Sequence, residues 1–210
     1  MEPTVTARIA APSNAEPKSG GPRLTLARRV SPTTGYTFPS LYSFPPFFTK
    51  QPNPSTWAHQ RDQWVRLVLS WSRHTKTSLI SLSQPALDAS ELFTHRELNR
   101  ALPLAVVTEV LKFMAASKPP AAEFVSQAAC YVYWKTPAEW ADAIYSWVRA
   151  TGQQGAILTF YELTESDPSL EFYTLPEALL RKVLDVLQRQ GKCQVLRGTL
   201  GEDGDGVKFV

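Results

Sequence analysis

The stretch Leu-Pro-Leu-Ala-Val-Val-Thr-Glu-Val-Leu-Lys-Phe-Met at residues 102–114 and the stretch Leu-Pro-Glu-Ala-Leu-Leu-Arg-Lys-Val-Leu-Asp-Val-Leu at residues 175–187 stand 73 positions apart. At that offset Leu102-Pro103 falls on Leu175-Pro176, Val110-Leu111 on Val183-Leu184, and Met114 on Leu187. A proline opens a helix well, because the N–H it lacks would find no partner in the first turn. Behind each proline, apolar residues recur at helical spacing. They are Leu104, Val107, Val110, Leu111 and Met114 in the first stretch, and Leu179, Leu180, Val183, Leu184 and Leu187 in the second. Pro119-Pro120 ends the first helix and Gly191 the second.

The surroundings of the two helices also match. Trp57, Trp64 and Trp71 recur every seven residues with Val65, Leu67 and Val68 between them, one apolar helix face over residues 56–74. A β-prone run follows at 77–82, and Thr94 with Glu97 fits a capping box for a short helix. Residues 124–134 read as strands around a turn. In the second half, Thr136-Pro137-Ala138-Glu139 supplies a cap, a proline at the first helical position and a glutamate at the third. The helix it starts carries Trp140, Ile144, Trp147 and Val148 and stops at Gly152 and Gly155. A β-prone run spans 157–163, and residues 193–200 and 207–210 flank the turn signals Asp203-Gly204 and Asp205-Gly206. Trp64 precedes Trp140 by 76 positions. Each half is helix, strand, short helix, long helix, hairpin, which is the winged-helix order. The predicted fold is mostly α with small β-hairpins (α+β): two tandem winged-helix domains, 55–135 and 136–210.

Ten of the 17 prolines lie before residue 57. Residues 1–35 hold prolines, Gly20-Gly21 and almost no large aromatics, too little apolar surface to offset ordering entropy, so a disordered tail is expected. Residues 36–54 keep the prolines and add Tyr36, Phe38, Tyr42, Phe44, Phe47 and Phe48. Such a segment is read as extended, with aromatics that fill pockets on a partner or fold back onto their own domain. The net charge of +3 lies in the tail. Residues 1–35 hold five bases (Arg8, Lys18, Arg23, Arg28, Arg29) against Glu2 and Glu16, and the remaining 17 bases meet 17 acids. No apolar secretory segment opens the chain. Glu2, Glu16 and five prolines argue against the amphipathic helix of a mitochondrial leader.

A neutral body argues against nucleic acid. Residues 103–116 offer only Glu109 and Lys112, which cancel, and residues 176–190 offer Arg181, Lys182 and Arg189 against Glu177 and Asp185. Counterion release from one or two phosphates gives little affinity. A nucleic-acid-binding tandem winged helix is therefore the alternative, not the main reading. The histidines His59, His74 and His95 form no metal-ligand pair, and no phosphate-cradling glycine loop is present. Glu162, Glu165 and Asp167 read as a solvated loop, and Cys130 and Cys193 as buried, reduced thiols. No constellation for nucleophilic or acid–base chemistry emerges.

Several dispersed motifs resemble the smallest-subunit family of the endosomal sorting complex ESCRT-II. They are Phe44-Pro45-Pro46-Phe47-Phe48-Thr49, Gln51-Pro52-Asn53, Trp64 with Leu67-Val68-Leu69-Ser70, Pro137-Ala138-Glu139-Trp140, Ile144-Tyr145-Ser146-Trp147-Val148, Phe160-Tyr161-Glu162-Leu163-Thr164 and Gly206-Val207-Lys208-Phe209. The resemblance runs from about residue 36 to 210 and leaves residues 1–35 unmatched. It implies a non-enzymatic subunit without catalytic residues, metal or cofactor. Two copies join two larger winged-helix subunits in a Y-shaped complex, and no nucleic acid is bound. The family's aromatic-proline motif, which docks on those subunits, falls on Pro45, Pro46, Phe47 and Phe48, beside Phe44, with a preceding element at Phe38 and Pro39. The second domain is implied to grip the N-terminal helix of the first-acting ESCRT-III subunit. The implied setting is the cytoplasm, with recruitment to the endosomal membrane through the complex, where ubiquitinated membrane proteins are sorted into inward-budding vesicles. On this reading Phe47→Ala with Phe48→Ala abolishes assembly and leaves the isolated chain folded.

Overall fold

A computed structural model describes residues 28–196 and 205–210. The expected disorder of residues 1–27 and the turn signal Asp203-Gly204 lie outside the described residues.

Helix α1 (Pro54–Thr75) begins at Asn53, whose side-chain oxygen accepts from the backbone N–H of Ser55 and Thr56. It buries Trp57, Trp64, Leu67 and Val68. Strand β1 (Leu79–Ser81), helix α2 (Gln84–Ala89), a two-residue ladder of β2 (Thr94–His95) with β3 (Arg100–Ala101), helix α3 (Leu104–Ala115) and strands β4 (Ala122–Ser126) and β5 (Ala129–Val132) complete the first domain. The second contains α4 (Pro137–Ala150), β6 (Ile157–Thr159), α5 (Phe160–Thr164), α6 (Glu177–Arg189), β7 (Cys193–Leu196) and β8 (Gly206–Phe209). Both sheets are antiparallel and place the first strand beside the last, in the orders β1-β5-β4 and β6-β8-β7. The hairpins β4–β5 and β7–β8 are the wings, so the chain is a tandem winged helix.

The 73-residue offset holds in three dimensions. α3 starts at Leu104 and α6 at Glu177, each preceded by an extended proline at φ −59° and −56°. Val110, Leu111 and Met114 are at most 1% exposed, as are Val183, Leu184 and Leu187, and Trp64 and Trp140 sit in the centres of the two cores. The Thr136 box is formed, with the Thr136 oxygen accepting from the Glu139 N–H at 3.2 Å and the Glu139 carboxylate accepting from the Thr136 N–H at 2.7 Å. Cys130 and Cys193 are buried free thiols, and desolvation raises each pKa to about 11.

Four expectations are corrected. Thr94 does not cap a helix but pairs in β2 with Ala101, and the short helix is α2, which starts nine positions after the last residue of α1. Glu162 is not a free loop acid, because it closes a second capping box with Thr159 at the start of α5. Residues 28–35 are not a disordered tail: Val30 bridges Thr37, Ser31 is 2% exposed, and the Phe38 N–H donates to the Arg29 carbonyl at 2.8 Å. The aromatic-proline segment is not extended over the prolines either. Ser40–Ser43 and Pro45–Phe48 form two 3-10 turns. Proline's fixed φ suits a 3-10 turn as well as an extended chain, and the turn aims both Phe47 and Phe48 inward.

The two domains are tied by polar contacts. Lys76 ends α1 in a left-handed conformation (φ 53°), and its ammonium donates to the carbonyls of Pro168 at 2.6 Å and Leu170 at 2.9 Å. Glu171 accepts from Lys135 at 2.5 Å and lies 3.6 Å from Arg73. Glu123 accepts from Tyr133 and Lys182, which hold its carboxyl below the usual range, Lys182 being the larger cause.

His95 gives the first domain a pH-dependent stability. It is 2% exposed, stacks on Tyr42 with centroids 5.1 Å apart, and accepts the Leu98 N–H at Nδ1. Burial, and next the Arg29 charge, hold its pKa below the usual 6.5. The unfolded chain therefore binds a proton first, and stability is lost as pH falls from 6.5 toward the lower folded value. Denaturant unfolding of the whole chain is expected to show a falling midpoint from pH 7 to 5.5, with a shallower slope in His95→Phe.

Candidate protein-docking surface

The seven aromatic-proline residues divide into two sets. Phe38, Phe47 and Phe48 are 0–3% exposed in the first domain's own core, so the expectation that Phe47 and Phe48 are anchors for a partner is corrected. Phe47 stacks on Trp64 with centroids 4.3 Å apart and planes within 5°, and Phe48 meets the same indole edge-on at 5.6 Å. Phe38 lies between Tyr42 at 4.0 Å and Trp71 at 5.3 Å. Each large ring buried this way contributes about 3–5 kcal/mol by the cost of its removal. Pro39, Phe44, Pro45 and Pro46 are exposed.

α1 holds the segment in place through its polar residues. The Trp64 indole N–H donates to the Phe47 carbonyl at 3.1 Å, and the Gln60 amide donates to the carbonyls of Phe47 at 2.7 Å and Thr49 at 3.0 Å. These bonds satisfy carbonyls that a short 3-10 turn leaves open. Nearby, Glu109 of α3 accepts from Lys50 at 2.6 Å and from the Trp57 indole at 2.8 Å. The Lys50 hydrogen bond is the main cause holding its carboxyl below the usual range.

Between the turns and α1 lies an open cleft of about 370 Å³. Leu41, Phe44, Pro46 and Phe47 line one side, and Thr56, His59 and Gln63 of α1 the other. The cleft is apolar at its floor and polar at its rim, the anatomy of a surface that receives a hydrophobic side chain. The α1 residues were not singled out from the sequence. Thr56, His59 and Gln63 recur at three and four positions on one helix stripe, a signal present but indistinguishable there from an ordinary solvated face. A second cleft of about 360 Å³ opens beside it, between Arg28, Phe38 and Pro39 and the α1 residues Gln63 and Arg66.

Two of the three cations on the long helix of the second domain are held in ion pairs, leaving Arg189 in its last turn. Arg181 pairs with Glu177 and Asp205, each at 2.6 Å, and Lys182 pairs with Glu123. On the neighbouring surface Tyr161 is 70% and Ile157 60% exposed. Among the described residues no three His, Cys, Asp or Glu side chains stand together as metal ligands, and no helix is long and apolar enough to cross a membrane.

Fold and cleft define the class: a tandem winged-helix protein with an apolar cleft built on its first helix. The family model described as "ESCRT-II complex subunit" matches residues 41–176, and the chain belongs to that family. It is 36% identical over 168 residues to "Vacuolar protein-sorting-associated protein 25" of Schizosaccharomyces pombe, covering 78% of this chain and 93% of the relative. To the Homo sapiens protein of the same name it is 36% identical over 178 residues, covering 83% and 97%. Among solved structures, "Crystal structure of subunit VPS25 of the endosomal trafficking complex ESCRT-II" superposes with a TM-score of 0.69 at 24% identity, over 82% of this chain and 98% of that one. "The crystal structure of endosomal complex ESCRT-II (VPS22/VPS25/VPS36)" gives 0.68, also at 24% identity, over 81% and 98%. At that identity the structural likeness speaks for the fold, and the family rests on the sequence matches.

The division of the motif is open to a direct check. Phe47→Ala is expected to lower the unfolding free energy of the isolated chain by about 3–5 kcal/mol, and Phe44→Ala to change it by less than about 0.5 kcal/mol. Chemical denaturation followed by tryptophan fluorescence measures both.

Proposed function

We propose that this chain is a non-enzymatic subunit of ESCRT-II that docks onto two larger winged-helix subunits through the exposed edge of its aromatic-proline turns. The observation that carries the reading is the apolar cleft bounded by Phe44 and Pro46 on a body of balanced charge. Buried Phe38, Phe47 and Phe48 act here as the internal frame that presents Pro39, Phe44, Pro45 and Pro46. Family membership supports the assembly, since the solved ESCRT-II complex that this chain resembles is composed of VPS22, VPS25 and VPS36. In this reading two copies enter each complex.

The second domain is proposed to recruit ESCRT-III by holding the N-terminal helix of its first-acting subunit. Exposed Tyr161 and Ile157, with Arg181 and Lys182 of the long helix held in ion pairs, favour a protein partner over nucleic acid. The subunit then works in the cytoplasm, meets the endosomal membrane through the complex, and serves the sorting of ubiquitinated membrane proteins into inward-budding vesicles.

Phe44→Ala with Pro46→Ala is expected to weaken binding to the purified larger subunits about 30-fold or more, the loss of one aromatic hot spot. An unchanged dissociation constant in calorimetry would refute the docking edge. A chain ending at residue 135 is expected to join the larger subunits and to lose ESCRT-III capture, with circular dichroism confirming that the shortened chain is folded. Retained capture would remove the second domain from that role.

A further inference from the structure

The hairpin at residues 28–38 precedes the stretch that the family model matches, 41–176, and is fastened to the first domain at two ends. One fastening is aromatic: Tyr36 and Phe38 meet Trp71 at 5.1 and 5.3 Å. The other is polar. Ser31 Oγ donates to Glu91 Oε2 at 2.5 Å, and Thr33 Oγ1 donates to the same oxygen at 3.1 Å. Ser31 is 2% exposed, and its Oγ also accepts the Thr34 N–H at 3.1 Å. Within the hairpin the Ser31 N–H donates to the Tyr36 carbonyl at 2.8 Å, and the Gly35 N–H to the Ser31 carbonyl at 3.0 Å. Gly35 turns the chain at φ +68°, a conformation glycine adopts without steric cost.

We propose that Ser31 is a phosphorylation site, and that its phosphate releases the turn at residues 30–35 from Glu91 while Tyr36 and Phe38 stay in the core. The local sequence is Arg28-Arg29-Val30-Ser31-Pro32, a hydroxyl followed by proline and preceded by two cations. It suits a proline-directed protein serine kinase with an acidic approach to the target, since kinases select substrates by such charge patterns. In the reaction Ser31 Oγ forms a bond to the γ-phosphorus of ATP. The bond from that phosphorus to the β–γ bridging oxygen breaks, ADP leaves, and the hydroxyl proton passes to the kinase's carboxylate base.

The consequence follows from the charge at Glu91. Phosphorylation removes the proton that Ser31 donates and adds roughly −1.5 to −2 charges. They would lie against a carboxylate oxygen that now stands at hydrogen-bond distance. Arg29 is a cation on this side, with its guanidinium 5.7 Å from the Phe38 ring centroid, and His74 of α1 meets the Thr34 carbonyl at 2.9 Å. Arg29 belongs to the hairpin itself, so pairing with the phosphate ties the hairpin to itself and not to the domain. Access requires a brief opening of the turn at residues 31–35, which is mostly exposed and held by one bridge and a few hydrogen bonds. The phosphate then holds the opened state.

The test uses the full chain, a recombinant proline-directed serine kinase and magnesium ATP, with the phosphate located by peptide mass spectrometry. Phosphate on Ser31 should accelerate amide hydrogen exchange at Ser31, Thr34 and Gly35 by about tenfold or more, while buried amides of α1 keep their protection. Ser31→Ala should take up no phosphate in this peptide. In Glu91→Gln the acceleration caused by the phosphate should shrink, because the repelling charge is gone. Failure of the kinase to modify Ser31, or unchanged exchange after modification, would overturn the proposal. An acceleration undiminished in Glu91→Gln would overturn the release mechanism. None of these readouts involves assembly with other subunits, so they stand apart from the function proposed above.

Discussion

Trp64 is the side chain on which the first domain is assembled. Its face stacks on Phe47, its edge meets Phe48, and its indole N–H closes the carbonyl of Phe47. A single residue of α1 thereby satisfies both demands of a short aromatic turn, apolar area for the rings and a donor for the backbone. Gln60, one turn earlier, adds the remaining donors. Without these partners Pro45–Phe48 would be an exposed chain with two large rings in water, and the cleft beside it would have no wall.

The division of the motif into an inner and an outer set follows from geometry. Phe44 precedes the turn in extended backbone (φ −100°, ψ 109°) and is exposed with Pro45 and Pro46, while Phe47 and Phe48 at the end of the turn are buried. The residues that carry the fold and the residues offered to a partner are then neighbours in sequence but act at different levels. The core rings set position, and the outer residues present apolar area on a rigid base, which lowers the ordering entropy lost on docking.

The periodic parts of the fold were legible in the sequence and the local polar chemistry only partly so. α3 and α6 were readable because proline starts and apolar spacing agree, and the two copies confirm one another. The Thr136 box was readable because proline and glutamate accompany the threonine. The Thr159 box was not, since β-prone Ile157 and Leu158 run straight into it and carry the same threonine into a strand pattern. Thr94 and Glu97 show the converse: the right residues at the right spacing, overruled by pairing of Thr94 with Ala101 across a tight turn. For the docking surface, the composition of residues 36–48 marked the place. Which rings face inward depends on Trp64 and Gln60, distant partners that no local pattern names.

The tie between Lys76 and the carbonyls of Pro168 and Leu170 has a mechanical consequence. Because the ammonium sits at the very end of α1, the segment leading to α6 hangs from the same rod that carries the aromatic turns. Reorienting the second domain therefore either breaks these two bonds or carries the end of α1 with it.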